Sequence, residues 1–249
     1  MLKGFFWISK NMDIKPYKKE YDYSYTLGAF PTIELLKTHP EHVIEVIVHS
    51  TFTDTENILK YTIPHNIPVI TNDKTITKLS DKENCFVVAV FKKYESKLCT
   101  NAPHVVLVSP SNMGNLGTIE RSAVGFSIKD LAIIRPAVDI FNPKAIRASM
   151  GAMFRMNVKY YDSFSEYQKD FSNHEIYCFM LNAKKQLSIY EAEHSKLFSL
   201  VFGNEATGLP DEFLNIGTSV IIPQSKEVDS LNITIAAGIG MFIFNNKAL

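Results

Sequence analysis

The second half of the chain alternates short apolar runs with helix-like stretches. Runs rich in Val, Ile, Leu and Phe predict strands at residues 105–109, 131–135, 158–161, 176–181, 197–202 and 219–223. Helical patterns lie between them, at residues 118–125, 143–154, 164–171 and 231–245, with a short helix after Pro210. Continuous apolar strands separated by helices predict an α/β fold with a mostly parallel sheet covered by helices on both faces.

The first half shows a shorter version of this pattern. Its predicted strands are residues 45–50, 68–71 and 85–91, and its predicted helices are residues 32–38 and 56–62. A polar stretch then ends at Pro103, which is typical of a connection between domains. We therefore expect a small N-terminal α/β domain at 1–95, a linker at 96–103 and a larger domain at 104–249.

The composition is that of a globular protein, with 249 residues, 46% of them hydrophobic, and 26 basic side chains balanced by 26 acidic ones. No apolar run approaches the roughly 18 residues of a membrane span, and the first residues lack a signal-peptide cleavage site, so we expect neither a membrane partner nor export. Three cysteines without metal-like spacing favour a reducing, cytoplasmic setting. The seven histidines form no HxH or HxxxH pair, and no metal site is expected.

Arginine is confined to one part of the chain. The 22 lysines are spread out, whereas all four arginines fall within 35 residues, at positions 121, 135, 147 and 155. A bias toward lysine with chance clustering is one explanation. The other is that arginine is kept where its planar guanidinium grips phosphate with two hydrogen bonds, which lysine cannot do.

Two loops that follow predicted strands contain unusual polar residues. SPSNMGNLGTIERSA (109–123) carries the amide Asn115 and then Arg121, but its glycine spacing does not fit the GxGxxG of dinucleotide-binding folds. The alternative to a functional role is that Asn115 caps a helix or forms a turn and Arg121 is an ordinary surface residue. FGNEATGLP (202–210) places Glu205 between two glycines, either as a loop acid in water or as an enclosed carboxylate with a polar partner.

A third loop leads into the last predicted helix, in IIPQSKEVDSLNITIAAGIGMF (221–242). Ser230 or Asp229 is predicted to cap this helix, in which Asn232 and Thr234 are the only polar side chains before Asn245 at its end. A buried core helix with a polar first turn is the alternative interpretation.

Together, NxGxxxR, FGxExxGLP and IPxxxxxxSLN occur in an order that resembles the SpoU-type (TrmH-like) RNA ribose methyltransferases of the SPOUT superfamily, over about residues 101–245. One departure is Thr234, where that family usually has serine. The resemblance implies S-adenosylmethionine as cofactor, an RNA ribose 2′-hydroxyl as methyl acceptor, a homodimer and a C-terminal trefoil knot. GAFPTIELL (28–36) and VVAVF (87–91) resemble the substrate-binding domain of rRNA-directed members, which favours rRNA as the partner of residues 1–95.

The resemblance also implies roles for individual residues. Arg121 is expected to orient the ribose oxygen, within a polar shell formed by Asn115, Glu205, Ser230 and Asn232. Glu205 is expected to hold an arginine, which the partner subunit could supply. The cofactor is expected to lie against Gly203, Ile222 and Leu231, with Leu181 and Asn182 nearby. Arg147 is a candidate phosphate contact for RNA, or else a surface arginine on a helix.

The helix predicted at 231–245 is apolar almost all round, which is typical of a helix buried in a core or an interface. Its Ala236-Ala237-Gly238 face, with Met241, Phe242 and Phe244, is expected to meet the same helix of a second subunit. Three other functions stay open: a tRNA 2′-O-methyltransferase, a nucleotide-dependent α/β enzyme and a non-catalytic RNA-binding module. Binding of S-adenosylmethionine rather than NAD would separate the methyltransferases from the nucleotide-dependent enzyme.

Overall fold

A computed structural model describes residues 13–183, 185–186 and 195–245 of the chain. The chain divides into two compact units. The first unit comprises the chain up to Tyr94 together with Asp139–Phe154, and the second comprises Glu95–Val138 and everything from Arg155 onward. The chain therefore leaves the first unit, returns to it for one segment and leaves it again.

The first unit is built on a four-stranded sheet. In spatial order its strands are β1 (Tyr23–Tyr25), β4 (Val87–Lys92), β2 (Val43–Val48) and β3 (Val69–Thr71). β2 and β3 run parallel, whereas β4 is antiparallel to both β1 and β2. Its first three helices are α1 (Ala29–Thr38), α2 (Thr55–Thr62) and α3 (Asp73–Leu79). The apolar pattern did not predict β1, whose three residues pair with β4, or the short α3.

The returning segment packs into the first unit through several contacts. The Ser24 hydroxyl donates to the carbonyl of Phe141 at 2.5 Å, and the rings of Phe91 and Phe154 meet edge to face with centroids 5.4 Å apart. A Cβ added to Gly151 would lie 2.9 Å from the backbone of Pro31, so this close approach depends on glycine. Residues from α1, β1 and β4 therefore all hold this segment.

The second unit is a parallel sheet of seven strands in the described part of the chain. In spatial order these are β7 (Asn157–Tyr161), β6 (Asp130–Ile134), β5 (His104–Val108), β10 (Phe198–Phe202), β8 (Glu175–Phe179), β11 (Thr218–Ile221) and β9 (Lys185–Gln186). Every neighbouring pair is parallel, and each residue of β5, β6 and β10 is buried. The predicted α/β class and parallel sheet are confirmed, whereas the knot stays a prediction.

Side-chain caps determine where the later helices begin. These helices are α4 (Met113–Gly125), α5 (Pro143–Ala148), α6 (Phe164–Asp170) and α7 (Ile233–Asn245). The Asn112 side chain accepts hydrogen bonds from Gly114 N at 2.8 Å and Asn115 N at 3.0 Å, and α4 therefore begins five residues earlier than predicted. α5 ends at Ala148, earlier than predicted, because Met150 and Gly151 have φ of 54° and 81°.

The C-terminal helix α7 begins two residues later than predicted. The Asn232 side-chain oxygen accepts hydrogen bonds from the backbone N–H of Thr234 at 2.8 Å and from its hydroxyl at 2.7 Å. Asn232 therefore takes the capping role, and the prediction that Ser230 or Asp229 caps this helix is wrong. Both predicted caps lie in the loop before the helix.

Some residues of the predicted interface face of α7 are buried in this chain's own core, and others are exposed. Ala237 and Met241 are fully buried, and a Cβ added to Gly240 would lie 2.7 Å from the ring of Phe179. Ile235 and Phe242, seven residues apart and on one face of the helix, are 54% and 48% exposed. Ala237 thus belongs to this chain's own core, and the proposal that it meets a second subunit is wrong.

A buried polar network lies at the amino ends of the parallel strands. The Ser199 hydroxyl pairs with the Tyr167 hydroxyl at 2.5 Å and with His174 Nδ1 at 2.9 Å. His104 reaches the same Tyr167 hydroxyl at 3.0 Å and the carbonyl of Cys99 at 2.8 Å. Burial, followed by the nearby His104, lowers the pKa of His174 from 6.5 to about 4. Burial also lowers the pKa of His104.

Among the described residues, no helix combines the length and the apolar character that a membrane span requires.

Candidate active site

A cavity of about 210 Å³ opens beyond the carboxyl ends of three neighbouring strands, β8, β10 and β11. Phe179, Phe202 and Val220 contribute apolar side chains from the strands to its lining. The lining is completed by residues 180–181, 203–208 and 221–222 and by four residues from the start of α7 and the loop before it. Parallel sheets bind ligands at this edge, so the cavity is the candidate active site.

The loop 203–208 closes on itself through its backbone. Asn204 and Gly208 exchange two backbone hydrogen bonds, of 3.2 and 2.8 Å. A Cβ added to Gly203 would lie 2.1 Å from the carbonyl carbon of Gly208, and Gly208 itself has a φ of 70°. Both glycines are therefore required by the loop's own closure.

The Asn204 side chain holds this loop and ties it to the end of β5. Its oxygen accepts hydrogen bonds from Ala206 N at 2.9 Å and Thr207 N at 3.3 Å. Its amide donates to the carbonyl of Ser109 at 2.8 Å. One side chain thus fixes the conformation of the cavity loop and its position against the loop that precedes α4.

Glu205 makes the second connection between these two loops. One carboxylate oxygen accepts from Ser111 N at 3.0 Å and from the Ser111 hydroxyl at 2.8 Å. The other accepts from Asn112 N at 3.0 Å and from the Asn115 amide at 3.4 Å. The carboxylate therefore holds the amino-terminal end of α4, where a negative charge is also favoured by the helix dipole.

The electrostatics of Glu205 follow from these donors. Burial acts to raise its pKa, but the hydrogen bonds from Ser111 and Asn112 outweigh burial and hold the pKa below its usual value of 4.5. Glu205 is therefore an anion at neutral pH. Since it is also part of the cavity lining, it adds a negative charge to a largely apolar site.

The groups that hold Glu205 among the described residues of this chain do not include the predicted arginine, and an arginine from a partner subunit stays a prediction. Within the described part of the chain, the carboxylate is held by a serine and two asparagines, and no arginine of the same chain pairs with it. Arg121 is exposed on α4 and is outside the cavity lining. The structure therefore brings Asn115 and Glu205 together but leaves Arg121 on the outer face of α4.

Most of the residues expected near the cofactor line the cavity. Leu181, Gly203, Ile222 and Leu231 are all in its lining. Asn182 is outside it and donates its amide to the carboxylate of Asp211 at 3.0 Å.

The remaining members of the predicted polar shell occupy different places. Ser230 lines the cavity from the loop before α7. Asn232 caps that helix instead of lining the cavity. Arg147 lies on α5, is partly buried and belongs to the first unit, whereas the residues that line the cavity belong to the second. The roles of these residues in catalysis and RNA binding stay predictions.

Three positioning residues were missed in the sequence: Ser111, Asn112 and Asn204. Each lies just after a buried strand, where small polar residues often cap helices or close turns. That composition was a usable signal, but the pairing of Ser111 with Glu205 joins positions 94 apart. Only the spatial order of β5 and β10, which are neighbours in the sheet, brings them together.

Comparisons with known proteins find a matching family and several relatives. Residues 102–242 match the model of the SpoU rRNA Methylase family. An uncharacterized tRNA/rRNA methyltransferase of Synechocystis is 27% identical over 139 residues, which are 55% of this chain and 51% of that protein. A Geobacillus stearothermophilus protein, named provisionally as a tRNA (cytidine(34)-2′-O)-methyltransferase, is 32% identical over 142 residues, which are 55% of this chain and 90% of that protein.

A solved structure with the same fold covers nearly the whole chain. The AdoMet-bound rRNA methyltransferase of Sinorhizobium meliloti superposes with a TM-score of 0.77 at 23% identity, covering 92% of this chain and 88% of the other. The match to the Synechocystis relative, in contrast, spans about half the length of that protein.

Proposed function

The chain belongs to the SpoU rRNA Methylase family, and from that premise we propose that it transfers a methyl group from S-adenosylmethionine to a ribose 2′-hydroxyl of RNA. The observation that carries this proposal is the joining of the family's motif loops at one cavity. Glu205 of the second motif holds the start of α4, which carries the first motif, and Ser230 and Leu231 of the third motif line the same cavity.

The cavity has the chemistry that this cofactor requires. Leu181, Ile222 and Leu231 offer apolar surface to a purine, and the backbone of the loop around Gly203 can form hydrogen bonds with its edge. The anionic Glu205 is compatible with a positively charged ligand. When bound, S-adenosylmethionine supplies an electrophilic methyl group.

The chain's own residues must then orient the acceptor oxygen and stabilise the negative charge that develops on it. Arg121 is our candidate for this role, because a guanidinium keeps its proton at neutral pH and can donate two parallel hydrogen bonds. It acts as an electrostatic partner of the oxygen and not as a base. Asn115, fixed by Glu205 at 3.4 Å, and Ser230 complete the polar surroundings of the acceptor.

Ribosomal RNA is the proposed substrate. The Sinorhizobium rRNA methyltransferase matches 92% of this chain, which requires a counterpart of the first unit as well as the second. The Geobacillus tRNA enzyme is matched over 90% of its own length by only 55% of this chain. In this comparison, the rRNA methyltransferase has a counterpart of the first unit, and the match to the Geobacillus protein does not extend over the whole chain. We propose that residues 1–95, with Arg147 from the returning segment, dock the RNA.

A homodimer is also part of the proposal. Ile235 and Phe242 present apolar side chains from one face of α7, and the ring of Phe126 at the end of α4 lies 6.2 Å from that of Phe242. A two-fold axis would allow this face to meet itself and would bring the α4 helices, with Arg121, close to the partner's site. The cytoplasm, where RNA is processed and where Cys85, Cys99 and Cys178 stay reduced, is the proposed location.

One experiment tests the activity and the RNA class together. The purified protein is incubated with radiolabelled S-adenosylmethionine and either rRNA or tRNA from a strain lacking the gene, and the nucleosides are identified by mass spectrometry. A 2′-O-methylated nucleoside in rRNA is expected. The same product in tRNA would overturn only the proposed substrate. A base-methylated product, or protection in a thermal-shift assay by NAD and not by S-adenosylmethionine, would overturn the activity.

A further inference from the structure

A second cluster of chemically competent side chains lies in the first unit, at the end of α1. His39 Nδ1 is 3.2 Å from an Oε1 atom of Glu41, and His42 Nε2 is 3.6 Å from the same oxygen. One potential ligand atom from each of the three residues lies within 4.8 Å of the other two. Two imidazoles and a carboxylate thus converge on one point of the surface.

The backbone of a single tight turn sets this arrangement. His39 ends α1, with its N–H donating to the carbonyl of Leu35 at 2.8 Å. Pro40 then begins a 3₁₀ turn, and His42 N donates to the carbonyl of His39 at 3.1 Å. Because proline fixes its own φ, the spacing of the three side chains is built into the fold and does not depend on a flexible loop.

Tyr94 orients both imidazole rings. Its ring centroid lies 4.6 Å from that of His39 and 4.7 Å from that of His42, with the second pair stacked at 12°. The two histidine side chains are consequently only 28% and 33% exposed. Rings held in this way lose little freedom when they bind a ligand, which favours binding.

We propose that His39, Glu41 and His42 form a binding site for one divalent transition-metal ion, with zinc as the preferred class. Tetrahedral zinc binds imidazole nitrogen and carboxylate oxygen at about 2.0–2.2 Å, which separates neighbouring ligand atoms by roughly 3.3–3.5 Å. The observed separations of 3.2 and 3.6 Å bracket that range. A water molecule would complete the coordination.

This proposal departs from the sequence-based expectation of no metal site, which considered only HxH and HxxxH pairs. The ligands here are spaced i, i+2 and i+3, and a glutamate supplies the middle one. The metal would join the end of α1, the start of β2 and Tyr94 after β4. Its role would therefore be to stabilise the first unit, separately from methyl transfer.

The test uses the full-length protein without a histidine tag, stripped of metal by a chelator. Calorimetry with Zn²⁺ is expected to give one site with a Kd in the micromolar range or tighter, and Co²⁺ is expected to give the visible absorption bands of a four-coordinate ion. Glu41→Gln, at an exposed ligand, and His42→Gln, at a partly buried one, should each weaken binding about tenfold or more. His65→Gln, an exposed histidine of the same unit, serves as the matched control and should bind as the wild type does.

Circular dichroism and melting of the metal-free variants separate lost binding from lost folding. Because Glu41 is 60% exposed, its substitution tests the ligand set even if His42→Gln destabilises the unit. No one-to-one binding by the wild-type protein would overturn the proposal. Equal Zn²⁺ affinity of wild type and Glu41→Gln, or loss of binding in His65→Gln alone, would also overturn it.

Discussion

Glu205 and Ser111 are 94 positions apart in the chain, yet one carboxylate oxygen of Glu205 accepts two hydrogen bonds from Ser111, at 3.0 and 2.8 Å. The other oxygen accepts from Asn112 N at 3.0 Å. This contact connects the cavity loop to the start of α4, so the geometry of the site depends on it.

Glu205→Gln is expected to destabilise the fold by about 1–3 kcal/mol and to reduce methyl transfer. In either orientation, the new amide points its NH₂ group at a backbone N–H, of Ser111 or Asn112, that donates to the carboxylate in the wild-type protein. Urea unfolding and the rate of methyl transfer measure the two effects. Glu212→Gln, at an exposed position beyond the same loop, is the control and should change stability by less than about 0.5 kcal/mol. A Glu205→Gln variant with unchanged stability and an unchanged rate of methyl transfer would contradict the positioning role.

Arg121→Ala and Arg121→Lys are both expected to abolish most turnover while leaving the affinity for S-adenosylmethionine within a few-fold. Arg121 is exposed and outside the cavity lining, so its loss does not disturb the cofactor's contacts. Lysine cannot reproduce the planar pair of donors. Arg135→Lys is the control, since Arg135, just after β6, pairs at 3.2 Å with Asp162, just after β7. A near-normal rate in Arg121→Lys would rule out the assignment.

Acid is expected to destabilise the second unit through His174. The pKa of this side chain is about 4 in the folded protein because burial and His104 disfavour its charged form. Below pH 6.5 the unfolded chain binds a proton that the folded chain does not, so stability falls as the pH is lowered from 6.5 toward 4. We expect a loss of about 2 kcal/mol between pH 8 and pH 5. Urea unfolding at pH 8 and pH 5 should show a smaller difference in stability for His174→Asn than for the wild type. If the difference in stability is unchanged in the variant, His174 is not the cause of the acid destabilisation.

Glu120→Met is expected to stabilise the protein at pH 8. Both carboxyl oxygens of Glu120 are buried without a partner among the described residues, and burial holds its pKa well above 4.5. The unfolded chain ionises above pH 4.5 and the folded chain does not, so burying Glu120 lowers stability increasingly as the pH rises. The gain in the free energy of unfolding should be about 1–3 kcal/mol at pH 8 and smaller at pH 4.5. A destabilised variant at pH 8 would mean that Glu120 has a partner in the assembled protein.

Phe242→Glu is expected to give monomers that no longer transfer methyl groups. Phe242 is 48% exposed on the face of α7 proposed to meet a second subunit, so a charge there opposes association without entering the core. Ile63→Glu, at a residue 64% exposed in the first unit, is the control. Sedimentation at micromolar concentration gives the oligomeric state. A fully active wild-type monomer would contradict the dimer proposal.

The sequence predicted the parallel sheet because residues of β5, β6 and β10 are buried on both faces and therefore read as unbroken apolar runs. It also located Glu205, Ser230 and the cavity residues Gly203, Ile222 and Leu231. The groups around Glu205 could not be predicted, because the donor Ser111 lies 94 positions away, in the loop after the neighbouring strand β5. The burial of Ala237 was missed for a similar reason: apolar residues on every side of α7 do not indicate which side meets the chain's own sheet.

The returning segment Asp139–Phe154 has a consequence for the order in which the protein can be made. The first unit lacks Phe141 and Phe154 until the ribosome has synthesised residue 154, by which point β5, α4 and β6 of the second unit already exist. During translation, the first unit therefore cannot complete its folding until part of the second unit has been synthesised. For the same reason, a gene fragment ending near residue 95 would not encode a complete module, and shuffling of the two units between proteins would need to carry this segment along.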